Sequence, residues 1–166
     1  MDVNIRGTLN LLKLAVENGA EKIIFSSTGG AIYGDDVHKI PTDETEFPKP
    51  ISPYGIAKYS AENYLRFFSH EFGLKYTVLR YANVYGPRQD PNGEAGVVAI
   101  FSKKMLKNDE VKIFGSGECI RDYIYVSDIA EANLKAMKDD SHQIYNIGTS
   151  KGTSVNELFA VLSEIT

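Results

Sequence analysis

The fold of this chain is decided by two short apolar runs, Lys22-Ile23-Ile24-Phe25-Ser26 and Tyr76-Thr77-Val78-Leu79-Arg80. Each run suits a strand that is buried on both faces, as strands of parallel sheets are. Between them a helical pattern extends from about Tyr54 to Phe72, and Gly73 follows, where glycine favours the end of a helix. Strand, helix and strand in this order form a β-α-β unit, which predicts an α/β fold.

On both sides of this unit, helical and strand patterns continue to alternate. Upstream, apolar residues recur at helical spacing from Asn4 to Asn18. Downstream, the patterns predict helices over 97–106 and 128–137 and strands over 111–114, 121–126 and 143–147. Ser154 and Glu157 form a capping box, which predicts the start of a last helix. Loops are predicted over 29–53, which holds four prolines, and over 83–96.

Composition argues against several classes of protein. The 166 residues are 43% hydrophobic and 24% charged, which is ordinary for a globular domain. No apolar run approaches the ~20 residues that a membrane span needs, so we expect no membrane segment. The net charge of -4 argues against nucleic-acid binding. The lone Cys119 and an N-terminus without a signal-peptide profile favour the cytoplasm.

Tyr54 and Lys58 are the side chains with the clearest chemical meaning. Four residues on a helix bring two side chains to one face, one turn apart, so a phenol and an ammonium can share a pocket. A tyrosine with a pKa of about 10 is a poor base at neutral pH, and a neighbouring cation favours its phenolate. Ser26-Ser27-Thr28 closes the preceding strand, at the end where open α/β sheets bind ligands. The pattern predicts a proton-relay site; the alternative is an exposed Tyr/Lys pair formed by chance.

Five segments carry a family resemblance. They are Asn4-Ile5-Arg6-Gly7-Thr8-Leu9-Asn10-Leu11-Leu12, Ser26-Ser27-Thr28 with Ile32-Tyr33-Gly34, Pro53-Tyr54-Gly55-Ile56-Ala57-Lys58, Leu79-Arg80-Tyr81-Ala82-Asn83-Val84-Tyr85-Gly86-Pro87-Arg88, and Arg121-Asp122-Tyr123-Ile124-Tyr125-Val126. In this order they resemble the extended short-chain dehydrogenase/reductase family, most closely its nucleotide-sugar 4-epimerases. The resemblance implies a doubly wound, Rossmann-like parallel sheet, NAD as cofactor and a nucleotide sugar of the UDP-glucose/UDP-galactose type as substrate. It also implies epimerisation at C4 through a 4-keto intermediate.

The resemblance assigns roles to residues at matching positions. Tyr54 is the base that removes the proton of the sugar 4-hydroxyl, Lys58 lowers its pKa, and Thr28 hydrogen-bonds the sugar hydroxyl. Ser27 is an alternative to Thr28, because Gly29-Gly30 inserts a residue after the hydroxyl cluster. No metal ligand is predicted. The cofactor-binding set is Asn4, Ser26, Ser27, Tyr54, Lys58 and Tyr81, and the substrate-binding set is Thr28, Asn83, Arg88, Ile113 and Arg121.

Several of these residues also have structural interpretations. Asn4 suits a helix N-cap, and Asn83 suits a turn. Arg121 carries the guanidinium fork that matches a diphosphate, but a solvated arginine at a strand end is the alternative. The alternative for Ser26 and Ser27 is that their hydroxyls only satisfy backbone groups at a strand end. For Tyr81 the alternative is a buried aromatic residue, and for Ile113 it is an ordinary strand residue.

Two glycines narrow the reaction that the resemblance implies. Related 4,6-dehydratases place Asp-Glu directly after the motif threonine, because eliminating water needs an extra acid/base pair. This chain has Gly29-Gly30 there, and it also lacks the glutamate usual in decarboxylating relatives. Epimerisation is therefore favoured, and dehydration and decarboxylation are the alternatives among enzymes.

One family feature is missing from the sequence. Family members hold the cofactor pyrophosphate on a glycine-rich loop before a helix, and this chain has no such loop. We therefore expect one incomplete, N-terminally truncated domain: 1–88 hold the C-terminal half of the NAD-binding sheet with the catalytic residues, and 89–166 are mostly substrate-binding segments. Alone, such a piece is expected to be inactive, and the alternative function is non-catalytic binding of a nucleotide sugar or of a partner. The full-length protein is expected to be a homodimer, as the family often is.

Overall fold

The structure is a computed structural model that describes residues 2–92 and 96–166. A π-helical turn over Asp2–Gly7 precedes the first α-helix. The helices are α1 (Thr8–Glu17), α2 (Gly29–Ile32), α3 (Pro53–Phe72), α4 (Val97–Met105), α5 (Val126–Lys138) and α6 (Val155–Ile165). The strands are β1 (Lys22–Thr28), β2 (Lys75–Tyr81), β3 (Asn83–Tyr85), β4 (Ile120–Tyr125), β5 (Gln143–Ile147) and β6 (Gly152–Ser154). The predicted α/β class is confirmed.

The first of two units comprises Met1–Tyr81 and Ala130–Ile147 and contains a parallel sheet in the order β1-β2-β5. Lys22 pairs with Lys75 at one end of β1, and Thr28 pairs with Tyr81 at the other. Because the strands are parallel and in this register, their carboxyl ends lie at the same edge of the sheet. Ligands bind at this edge in open α/β sheets, so the register places the hydroxyl cluster where chemistry is expected.

The core of this unit lies where α1 and α3 pack against the sheet. Its fully or nearly buried members are Leu12, Leu65, Phe68, Leu74, Tyr76 and Val78. On α3 the buried apolar positions Ala57, Ala61, Leu65 and Phe68 recur every three or four residues, which gives the helix one apolar face. This packing fixes the rotation of α3 against the sheet.

Local signals explain where α3 begins and ends. The Ser52 hydroxyl accepts a 3.0 Å hydrogen bond from the Gly55 amide, and Pro53 takes the first helical position, where its missing N–H costs nothing. Gly73 ends the helix in the left-handed conformation, with φ of 69°. The predicted helix over 54–72 is confirmed, with one more residue at its start.

The second unit comprises Ala82–Ile129 and Gly148–Thr166. In it β3 pairs in parallel with β4, and β4 pairs antiparallel with β6. The predicted capping box is confirmed at the start of α6: the Glu157 amide donates to the Ser154 hydroxyl, and the Ser154 amide donates to the Glu157 carboxylate. Residues 130–147 belong to the first unit, because β5 pairs with β2. The predicted division after residue 88 into cofactor-binding and substrate-binding parts stays a prediction.

Three local expectations differ from the structure. The predicted strand over 111–114 is wrong: in the described part of the chain this stretch joins no sheet, and the side chain of Phe114 is 90% exposed. Its apolar pattern is a local signal, whereas a strand needs a hydrogen-bonded neighbour. The predicted loops also contain short elements, α2 after Thr28 and β3 at Asn83–Tyr85.

In the part of the chain that the structure describes, no helix is both long enough and apolar enough to cross a bilayer.

Candidate active site

The N-terminal turns of α3 bring Tyr54 and Lys58 together. The Lys58 Nζ atom lies 5.9 Å from the centroid of the Tyr54 ring and 4.9 Å from that of the Phe25 ring. It donates a 2.9 Å hydrogen bond to the backbone carbonyl of Ser26. The ammonium is therefore held at the carboxyl end of β1, beside a phenol that is 48% exposed.

The surroundings of Lys58 lower its pKa. Partial burial lowers the pKa of Lys58 below the ordinary lysine value of 10.5, because desolvation disfavours the ammonium form. While Lys58 is protonated, its positive charge favours the ionised form of the neighbouring Tyr54 phenol. The arrangement is thus suited to proton transfer at the Tyr54 oxygen.

Gly55 allows the start of α3 to approach the segment after β1. A side chain at this position would clash with the carbonyl oxygen of Ala31 in α2 and would lie 3.0 Å from the Cβ atom of Pro50. Glycine is needed here for close backbone approach, not for an unusual φ angle. The same approach fixes Tyr54, which precedes Gly55 directly.

The three hydroxyls at the end of β1 have different surroundings. Side chains alternate along a strand, so Ser26 and Thr28 share one face and Ser27 points to the other. The Ser26 hydroxyl lies 3.1 Å from the Tyr81 Oη atom, to which the Asn133 side-chain amide donates a 2.8 Å bond. Thr28 is half-buried at the N-cap of α2.

Ser27 is turned into the core of the unit. Its side chain is 4% exposed and donates a 2.6 Å hydrogen bond to the Glu62 carboxylate. Glu62 is in turn ion-paired with Arg80, at 2.6 Å, and both are almost fully buried. Burial opposes the charge of Arg80, but its bonds to Glu62 and Tyr33 outweigh this effect and raise its pKa above the ordinary value. The geometry favours Thr28 over Ser27 as the hydroxyl available to a ligand.

Asn4 lies within the π-helical turn and is half-buried. Its backbone carbonyl accepts a 2.8 Å bond from the Thr8 hydroxyl. The N-cap position of α1 is Gly7, so Asn4 does not serve as the cap of that helix. Its role toward a cofactor stays a prediction.

A second candidate site is a cavity of about 280 Å³ within the second unit. Asn83 and Arg121, both predicted to bind substrate, line it. The Arg121 Nη1 atom donates a 2.8 Å bond to the Ile120 carbonyl, which anchors the guanidinium at the strand. Arg88 and Ile113 are not among the described residues that line this cavity; Arg88 is exposed and has a φ of 72°.

Sequence reasoning missed several residues of this cavity. Cys119 and Tyr123 lie two positions before and after Arg121 and line the same cavity. Because residues two apart on an extended segment share one face, the position of Arg121 could have indicated both of them. Gln89 follows a turn and gave no such signal. Its Nε2 atom donates a 3.4 Å bond to the Val84 carbonyl, while its buried Oε1 atom has no hydrogen-bond partner among the described residues.

Residues 1–148 match the model of the NAD dependent epimerase/dehydratase family. The chain belongs to this family. The match runs from the π-helical turn to the end of β5, so it includes every element of the first unit and the strands β3 and β4 of the second. The predicted family membership is confirmed, together with the NAD dependence and the Rossmann-like fold that characterise the family.

Relatives within the family are similar over nearly the whole chain. A putative UDP-glucose 4-epimerase of Methanocaldococcus jannaschii is 49% identical over 161 residues, which cover 97% of this chain and 52% of that protein. The solved UDP-glucose 4-epimerase of Thermotoga maritima with UDP-glucose is 64% identical, with a TM-score of 0.98 over 99% of this chain and 53% of that one. The Thermus thermophilus UDP-glucose 4-epimerase in complex with NAD is 46% identical, with a TM-score of 0.91 over 98% and 54%. The chain spans about half the length of the relatives it matches.

The first unit offers a fit for one end of the family's cofactor. An ammonium has three N–H donors, and among the described residues one of those of Lys58 is taken, by the Ser26 carbonyl. The remaining donors, with the exposed Tyr54 phenol and the Ser26 hydroxyl, suit the hydroxyls of a nicotinamide ribose. The glycine-rich pyrophosphate loop is absent from the sequence, so the fit covers the ribose end only.

Within residues 2–92 and 96–166, no group of three or more His, Cys, Asp and Glu side chains is arranged to hold a metal ion.

Proposed function

We propose that this chain supplies the catalytic tyrosine and part of the substrate site of an NAD-dependent nucleotide-sugar 4-epimerase. The observation that carries the proposal is the Lys58 ammonium, bonded to the Ser26 carbonyl and 5.9 Å from the Tyr54 ring centroid. Relatives named UDP-glucose 4-epimerase that are 49% and 64% identical support a substrate of the UDP-glucose/UDP-galactose type.

The proposed chemistry begins at the sugar 4-hydroxyl. The Tyr54 phenolate accepts the hydroxyl proton while the hydrogen on C4 leaves as hydride, so a 4-keto sugar forms. Thr28 holds the sugar oxygen by a hydrogen bond, and Lys58 favours the ionised phenol before the proton is taken. After the keto sugar turns, hydride would return to the opposite face of C4 while Tyr54 returns the proton to the C4 oxygen, which gives the inverted configuration. NAD, when bound, supplies the acceptor and donor of the hydride.

Cofactor binding is proposed for residues of the first unit. Lys58 and Tyr54 hold the nicotinamide ribose. Ser26 lies beside them, because its backbone carbonyl accepts a hydrogen bond from the Lys58 ammonium. Tyr81, hydrogen-bonded to Ser26, contributes to the nicotinamide side. Asn4 keeps its predicted cofactor role. Ser27 would act on the cofactor only indirectly, because its hydroxyl donates to Glu62.

Binding of the substrate diphosphate is proposed for the cavity of the second unit. Arg121 provides a charged fork for phosphate oxygens, and Asn83 provides an amide in the same cavity. Arg88 and Ile113 are proposed as outer contacts with the nucleotide, since they do not line the cavity itself.

A homodimer is proposed through α1 and α3, which contact each other. Both helices expose apolar side chains, at Leu11 and Leu14 on α1 and at Tyr64 and Phe67 on α3. A second copy of the chain would cover this face. Light scattering should show a dimer for the parent protein and a monomer for Phe67→Asp, whereas Leu134→Asp, an exposed apolar residue on α5, should leave the dimer intact. A dimer that persists in Phe67→Asp would contradict this interface.

The proposed function is tested by replacing Tyr54 with Phe in the protein expressed from its complete gene. Turnover of UDP-galactose should fall by about 10²–10⁴-fold, the usual contribution of a general base. Binding of UDP-galactose, measured by calorimetry, should change little, because the ring is retained. Tyr145→Phe is the matched control, since its hydroxyl bonds Asp139 at 2.8 Å, outside the site. Substrate binding without turnover in the parent protein would instead support the non-catalytic alternative.

A further inference from the structure

We infer that a buried hydrogen-bond network positions Tyr54 and Lys58, an inference that rests on the function proposed above. The network lies within the first unit. Its members are Ser27, Tyr33, Glu62, Arg80 and Asn146, which come from β1, the segment after α2, α3, β2 and β5.

Glu62 is the centre of this positioning network. It follows Tyr54 and Lys58 at intervals of four residues, so all three lie along one side of α3. Its side chain is fully buried and accepts three hydrogen bonds: one from the Ser27 hydroxyl at 2.6 Å, and two from the Arg80 Nε and Nη2 atoms at 3.0 and 2.6 Å. The carboxylate thereby ties α3 to two strands of the sheet at once.

The first connection is the bond from Glu62 to β1, which lies one residue along the strand from the bond that Lys58 makes. Lys58 binds the Ser26 carbonyl, and Glu62 binds the Ser27 hydroxyl. Two bonds, one helical turn apart on α3 and one residue apart on β1, fix both the rotation of the helix and its position along the strand. They therefore fix where the Tyr54 phenol and the Thr28 hydroxyl stand relative to each other.

The second connection runs through Arg80 to the long segment before α3. The Arg80 Nη1 atom donates to the Tyr33 hydroxyl at 2.8 Å, and that hydroxyl donates to the Asn146 Oδ1 atom at 2.8 Å. The Asn146 amide donates in turn to the Thr42 carbonyl at 2.9 Å. The buried Tyr33 hydroxyl and the half-buried Asn146 side-chain amide therefore each accept one hydrogen bond and donate another.

Stability alone is a weak reason for such a network. A buried ion pair usually adds little over apolar side chains of the same volume, because desolvation offsets the attraction. What the network supplies is a fixed geometry at the start of α3. Reacting groups held even 1 Å from their productive positions can lose about 10²-fold in rate. Ser27, Tyr33, Glu62 and Arg80 are positioning residues in this sense, since they act through Tyr54 and Lys58.

Two mild variants test the inference without leaving a charge unpaired. Ser27→Ala and Tyr33→Phe each remove one hydroxyl from the network and keep the Glu62–Arg80 ion pair. The matched controls are Ser69→Ala, on the same helix, whose hydroxyl lies 3.1 Å from the His142 Nδ1 atom, and Tyr145→Phe. All variants are made in the protein expressed from its complete gene.

We expect Ser27→Ala and Tyr33→Phe to lower kcat for UDP-galactose by about tenfold, with KM within twofold of the parent value. Thermal midpoints should shift no more than in the two controls, whose kcat stays at the parent value. A purely structural role would lower the midpoint and leave kcat of the folded protein unchanged, and that result overturns the inference. Tyr54→Phe, assayed alongside, separates the two proposals. If Tyr54→Phe keeps full activity, the proposed function fails. If Tyr54→Phe loses activity while Ser27→Ala and Tyr33→Phe keep the parent kcat, only the positioning network is refuted.

Discussion

Replacing Glu62 with Gln should destabilise the protein strongly, because it leaves Arg80 as an unpaired buried charge. Glu62 accepts three hydrogen bonds, and its side chain and that of Arg80 are 0% and 2% exposed. A glutamine keeps one acceptor oxygen but turns an NH₂ group toward a guanidinium, which has only donors. Removing one partner of a buried ion pair costs about 3–5 kcal/mol.

That cost corresponds to a fall of about 6–20 °C in the thermal midpoint, at about 2–4 °C per kcal/mol for a domain of this size. The assay is thermal unfolding followed by far-UV circular dichroism at pH 7. Glu131→Gln is the matched control: Glu131 forms an exposed ion pair with Lys135 at 2.8 Å, and exposed pairs contribute little. A midpoint for Glu62→Gln equal to that of Glu131→Gln would refute the reasoning.

The double variant Glu62→Gln/Arg80→Met sharpens this test. Since it removes the stranded charge, it should be more stable than Glu62→Gln alone, although it also loses the bond from Arg80 to Tyr33. If the double variant is less stable by the sum of the two single effects, the unpaired charge is not the cause of the loss.

Three further predictions follow from the site and from α6. Gly55→Ala should lower stability by about 1–3 kcal/mol in urea unfolding and should reduce kcat, because the added methyl clashes with the Ala31 carbonyl beside Tyr54. In the pH profile of kcat, the alkaline fall in activity should have its midpoint below pH 10.5, because burial lowers the pKa of Lys58 and the ammonium loses its proton at a lower pH. Lys58→Arg should remove this fall, because the guanidinium stays charged. Ser154→Ala should cost about 1 kcal/mol in urea unfolding through loss of the cap of α6.

Each of these predictions has a control and a contradicting result. Ile56→Ala, at an exposed position next to Gly55, should leave kcat unchanged; a harmless Gly55→Ala would show that the helix start is not closely packed. An alkaline fall that persists in Lys58→Arg belongs to another group. Ser163→Ala, an exposed serine within α6, should be neutral, and an equal loss in both serine variants would argue against the capping box.

The sequence predicted the elements whose signals are local. The end of α3 was predicted from Gly73 and the start of α6 from Ser154 and Glu157, because each of these signals is complete within a few residues. The parallel strands β1 and β2 were predicted for a similar reason, since their apolar runs are short and bounded. Tyr54 and Lys58 are adjacent in space simply because they are four residues apart on a helix.

The features that depend on distant residues were not predictable in the same way. The run over 111–114 looks like a strand but joins no neighbour among the described residues, whereas β3 and β6 are only three residues long and exist because β4 lies between them. Ser27 looked like a site residue in the sequence. Its partner Glu62 is 35 positions away, so its burial could be read only from the fold.

The claim that Tyr54 is the base of a C4 epimerisation is tested most directly by one rate ratio. UDP-galactose is incubated with the protein expressed from its complete gene, and the C4 configuration of the sugar is followed by NMR for the parent, Tyr54→Phe and Tyr145→Phe. The account predicts that UDP-glucose accumulates with the parent and with Tyr145→Phe, and that Tyr54→Phe is slower by about 10²–10⁴-fold. Equal rates for Tyr54→Phe and Tyr145→Phe would contradict it.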